Sequence, residues 1–205
     1  MKLIMNILLV FVTLTSFSQT ENEVKVFNLI NQIRQNPTNN AVVVALDSTI
    51  NFNEKKLNSL NKRLIPVKIG NLTVKQKIDS VNILKNIDLV KVYLSHLYNT
   101  KEFLKKQTTL KALTFDKTMY DAYKKYDLSK TKGAKHTDVG SDVRKSENMV
   151  VLEKNPVDAV LNLIVDFPYD FNKKGHRDNI FSTTHTKTCV VENTLSEVTY
   201  IQGFK

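Results

Sequence analysis

One cysteine, Cys189, is all the chain contains, so no intramolecular disulfide can form and the fold must stand on its apolar core. The residue sits in "TCVVE" among β-branched neighbours, where a free thiol acts as a small buried apolar group rather than a nucleophile. Arginine is nearly as scarce, four among 30 basic side chains, although the formal net charge is +10. The lysines stand in scattered pairs (Lys55–Lys56, Lys105–Lys106, Lys124–Lys125, Lys173–Lys174) and are not interleaved with aromatics on one element. Modules that read nucleic acid need clustered arginine and aromatic stacking platforms. No nucleic-acid partner is therefore expected, and the basic surface reads as a solvated one with weak affinity for anionic envelope polymers. Internal repeats and low-complexity segments are also lacking.

What is present fits one soluble domain. With 205 residues, 41% hydrophobic and 24% charged, the chain is long enough to bury a sizeable core. Lys2 precedes an apolar run, Leu3 to Leu14, broken only by Asn6 and Thr13. Ser16 and Ser18 then supply small residues ahead of Gln19. This predicts a signal peptide over 1–18, too short for a comfortable membrane span, and a mature chain of 19–205 that is secreted or periplasmic. The competing reading is an uncleaved anchor. No transmembrane segment is expected after cleavage, and the mature chain is expected to be a monomer.

Thr20 and Glu23 have the spacing of a capping box, and Val26, Ile30 and Ile33 follow at helical intervals until Pro37. "AVVVAL" at 41–46 fits a strand or a buried helical turn equally. Thr73 and Gln76 repeat the capping pattern ahead of Ile83, Ile87, Val90 and Leu94, which predicts a long helix to about His96. There the imidazole would complement the helix dipole. Asp116 caps a short helix with Met119, Tyr123 and Tyr126 inward; Asn155 and Pro156 start another. "TKTCVVE" and "EVTYIQGF" read as an antiparallel hairpin, about 186–192 and 197–203.

His136, Glu147 and His176 fall in segments without periodicity around that last helix. Two imidazoles and a carboxylate can hold zinc with a position left for water, although the spacing is not that of a His-Glu-x-x-His motif. The same three groups suit a hydrogen-bonded network in which a carboxylate orients an imidazole. In "KKGHRDNIF", Gly175 allows a sharp turn before His176, and Arg177 and Asp178 are expected to fix the loop.

"LINQIRQNP", "LKALTFDKTMYDAYKKYD", a histidine before "SENM", and "GHRDNIF" before a strand pair occur in this order. That order resembles the CAP superfamily of cysteine-rich secretory proteins, venom antigen 5 and plant pathogenesis-related proteins, in its bacterial form. The likeness covers the first helix and then about 110–205, leaving 38–109 as a helical insertion or divergent stretch. It implies an α+β fold, a three-layer α-β-α sandwich with a central antiparallel sheet. It also implies a cleft lined by His136, Glu147 and His176 that can hold zinc or another divalent cation.

Ser146 stands where the family usually has glycine, and "KTCVV" replaces its glycines after the second histidine. For the family's second acid the chain offers Asp166 or Asp170, with Asn162 nearby. The resemblance implies a secreted protein that binds an extracellular or envelope ligand in this cleft. Its alternative is a metal-assisted hydrolase with Glu147 as general base on metal-polarised water.

Overall fold

Thr20 begins the architecture as its sequence suggests. In the computed structural model its hydroxyl accepts from the Glu23 amide at 3.1 Å, and its own amide donates to the Glu23 carboxylate at 2.7 Å. Helix α1 (Glu21–Gln35) follows and buries Val26, Leu29, Ile30 and Ile33. The structure describes residues 19–64, 74–126, 137, 139–167, 175–193 and 198–205. The predicted signal segment 1–18, Thr73, His136 and Asp170 lie outside the described residues.

The ambiguous "AVVVAL" is helical. Asn40 Oδ1 accepts from the amides of Val42 and Val43 at 2.9 and 3.1 Å, an N-cap that starts α2 (Ala41–Leu64). Only Val42 and Leu46 of that run are buried, so one stripe faces the core and the β-branched preference for strand is overridden. Helix α3 (Val74–Lys106) runs ten residues beyond His96. Its buried stripe continues through Leu97, Thr100 and Leu104, which is why it does not stop there. His96 is thus mid-helix, buried edge-on against Phe167 with ring centroids 5.1 Å apart, and not at a dipole terminus. Helices α2 and α3 pack on each other, and both touch α5 (Pro156–Val165). Among the described residues no helix is long and apolar enough to cross a membrane.

Among the described residues the fold is mixed α+β, with six helices and a four-stranded sheet in the order β1-β3-β4-β2. The strands are β1 (Thr114–Phe115), β2 (Ser146–Val151), β3 (Lys187–Glu192) and β4 (Val198–Phe204). The expected pairing of the last two segments is observed, antiparallel from Thr188 opposite Phe204 to Glu192 opposite Tyr200. The expectation of a wholly antiparallel sheet is not met. β1 runs parallel to β3, because the long connection between them returns the chain in the same direction.

Alternation divides the sheet's residues into two faces. Val150, Val190, Tyr200 and Phe204 join the larger core with α1, α5 and α6 (Gly175–Phe181). Met149, Cys189, Val191 and Ile201 join a smaller core with Met119, Tyr120 and Tyr123 of α4 (Lys117–Lys125). Each such side chain contributes about 1.5–3 kcal/mol by leaving water. Gly203 lets α4 come this close: a Cβ there would lie 2.5 Å from Met119 Sδ and 2.6 Å from a Tyr123 ring carbon. Cys189 is sealed among these groups, and burial pushes its thiol far up from the ordinary range.

A buried carboxylate clips the start of α1 to this assembly. Glu23 accepts from the Tyr120 hydroxyl at 2.9 Å and the Glu192 amide at 2.8 Å, and pairs with Lys124 at 2.7 Å. Thr20 and Asn22 bond the Glu192 carboxylate in turn, at 2.8 and 3.0 Å.

Candidate functional site

Glu147 lies in strand β2, not in an irregular segment as its lack of periodicity suggested. The strand is legible only through its partner: Glu147 sits opposite Gly203 and Met149 opposite Ile201. With Met149 on the α4 face, alternation points Glu147 the same way. There Oε2 accepts from the Tyr123 hydroxyl at 2.7 Å and from the Thr137 hydroxyl, and Oε1 from the Thr137 amide at 2.9 Å. Arg144 Nε makes an ion pair at 3.4 Å without hydrogen-bond alignment, while its Nη2 donates to the Thr137 carbonyl at 2.6 Å. The Glu147 side chain is wholly inaccessible. Burial, then the adjacent carboxylate, pushes the Tyr123 hydroxyl far above its ordinary range, so it remains a donor.

Asn148, the next residue along β2, faces the other way. Its Nδ2 donates to the His176 carbonyl at 3.1 Å and the Gln202 side chain at 3.3 Å, and its Oδ1 accepts from Asn179 at 2.9 Å. Gln202 continues the ladder to Thr188 at 3.2 Å. A buried polar row thus crosses the sheet and fixes α6 at its end. Helix α6 is also where His176 resides, so the expected loop at 175–181 is a short helix. Gly175 lies in its first turn with open space where a Cβ would stand, so no sharp turn explains it. Arg177 does not brace a loop either. It is buried over the Phe103 ring, 4.2 Å from the centroid, and holds α6 on α3.

Asp166 completes this face. It ends α5 in the left-handed conformation, φ 56° and ψ 42°, which a short polar side chain tolerates at a cost of about 1–2 kcal/mol. From there Oδ2 accepts from the His176 amide at 3.1 Å, and Oδ1 meets His176 Nδ1 at 2.8 Å. The carboxylate is 1% exposed and the imidazole 22%, so a buried acid sets the orientation of a ring that reaches the surface.

Of the residues picked from sequence, the structure joins His176 with Asp166, the first of the two candidate acids. Glu147 projects toward α4, while His176 belongs to the helix on the opposite side of β2. His136 and Asp170 lie outside the described residues, and Asn162 is exposed on α5. Tyr123 and Thr137, which hold Glu147, carry no local sequence signal of a polar role. The helical stripe containing Tyr123 marks it as core, which it is, and only its hydroxyl betrays a polar partner. Among the described residues no three His, Cys, Asp or Glu side chains are grouped to hold a metal ion. Toward a cation the described residues divide. His176 is oriented as a ligand would be, whereas the oxygens of Glu147 already accept from Tyr123 and Thr137. No family model matches the chain, and no curated protein or solved structure matches it.

Proposed function

We propose that the chain is an exported CAP-type protein that acts by binding, and that His176, oriented by Asp166, meets the ligand. The single observation that carries this is the 2.8 Å contact between a buried carboxylate and a partly exposed imidazole. An acid at Nδ1 fixes the tautomer and the orientation of the ring, the arrangement found behind ligating and proton-accepting histidines. Helices on both faces of the sheet support the three-layer α-β-α arrangement that the resemblance implies. The ordered motifs and the apolar leader support export.

The competing hydrolase reading needs Glu147 to take a proton from water. Its carboxylate is inaccessible and engaged by Tyr123 and Thr137, which favours binding over hydrolysis. Zinc serves as the probe of the imidazole in a calorimetric titration of the purified protein. Uptake is expected for the wild type, about 10- to 100-fold weaker for Asp166→Asn, and absent for His176→Ala. Equal uptake by wild type and His176→Ala would move the site elsewhere, and no uptake by either would remove the cation.

A further inference from the structure

A cavity of about 520 Å3 opens where the end of α1, the segment 109–114 and the segment 183–187 meet, away from His176. Its size is that of a small-molecule site. Arg34, Lys111, Lys187 and His185 line it together with threonines, and no Asp or Glu side chain does among the described residues.

Arg34 is 2% exposed, yet its donors go to neutral carbonyls: Nε to Lys111 at 3.1 Å, and Nη1 to Ile180 and to Ser182, the latter at 3.0 Å. Those bonds tie α1 to the end of α6 and explain why an arginine stands there. They do not neutralise it, and Nη2 donates to no described residue. Lys111 pairs with no described acid, and Lys187 has only Asp116 at a stretched 3.8 Å. His185 is buried and stacked on Phe204, with Nε2 2.9 Å from the Ser146 hydroxyl and Nδ1 lacking any hydrogen-bond partner. That nitrogen is itself sealed, so the ring borders the cavity as a reporter and is not counted among the groups that would meet a ligand. The demand comes from the buried guanidinium, which has no described carboxylate to neutralise it.

We infer that this cavity is an anion site for a small molecule bearing one phosphate or sulfate group. Lys111 and Lys187 supply charge at its mouth, Arg34 charge at its wall, and the threonine hydroxyls take the rest of the ligand. The chemistry is reversible binding; no bond is made or broken. The inference is independent of the His176 reading, since no residue is shared.

The experiment is a titration of the purified protein with inorganic phosphate and, separately, inorganic sulfate, followed through the His185 ring resonances. Saturable shifts are expected at His185. In Lys111→Glu/Lys187→Glu the affinity should fall by about tenfold or more, the effect of losing charge-assisted hydrogen bonds. Lys55→Glu/Lys56→Glu changes net charge equally on the exposed side of α2 and should bind as the wild type does. Lys111→Gln/Lys187→Gln gives the milder version should the reversal unfold the chain. Saturation by phosphate alone narrows the ligand to phosphates, and saturation by both keeps either group. Unmoved His185 signals, linear non-saturating shifts, or equal losses in the site and control pairs would each overturn the proposal.

Discussion

The two faces of the sheet each bury a carboxylate, and they finish it differently. On the α4 side Glu147 is surrounded by donors that are themselves buried, Tyr123 and Thr137 among them. On the α6 side Asp166 holds an imidazole whose ring reaches solvent. Both acids are equally hidden, so burial alone does not mark a functional carboxylate. What separates them is whether the partner is sealed in turn. The described hydrogen-bond donors to Glu147 are buried and serve structure, whereas an imidazole that reaches the surface can present a group to a ligand.

Breaking the closed network should have the largest effect. Glu147→Ala strands the Tyr123 hydroxyl, the Thr137 amide and the Arg144 cation, and is expected to cost about 3–5 kcal/mol. The midpoint of denaturant unfolding measures this, and a loss under about 1 kcal/mol would mean the donors find other partners. Gly203→Ala tests the same face through packing: a methyl against Met119 and Tyr123 should cost about 1–3 kcal/mol. The open network should be softer. Asp166→Asn keeps a residue that tolerates the left-handed backbone and is expected to cost about 1 kcal/mol, while His176→Ala should change stability by under about 0.5 kcal/mol. A His176→Ala loss as large as that of Glu147→Ala would erase the distinction between the faces.

The smallest effect concerns His185, at the edge of the sheet. Desolvation, then Lys145 and Arg34, holds its pKa below the ordinary 6.5. The unfolded chain therefore takes up a proton at a pH where the folded one does not. Stability contributed here is intact above about pH 6.5 and declines as the pH falls from there toward the folded value. His185→Gln should flatten that slope between about pH 7 and 5 in unfolding measured at several pH values. An unchanged slope would assign the acid sensitivity to other groups.

Much of the frame could be read from local chemistry. The Thr20–Glu23 box, the caps Asp116 and Asn155, and the final hairpin are all signalled by side chains acting on neighbours in sequence. Elements that depend on distant partners were harder. β2 alternates only relative to a strand about 50 residues later, and "AVVVAL" becomes helical through one asparagine cap and its packing. The site followed the same rule. His176 stands out by its setting and Asp166 is one of the acids near it in sequence, but their pairing depends on a left-handed turn that composition does not announce. Glu147 was visible as an acid, whereas the donors that occupy it come from α4 and residue 137 and converge only in three dimensions.

The strand order carries a consequence for how the protein comes into being. β4 lies between β3 and β2 and bonds to both, yet it spans Val198–Phe204, the last of the described elements. A chain emerging N-terminus first has β2 without a neighbour until these residues arrive. The clip on α1 likewise waits for Glu192, 169 positions after Glu23. Contacts this remote slow folding, because the loop must close before any bond rewards it. The sheet therefore closes only once β4 has been made, and until then β2 offers an unpaired edge.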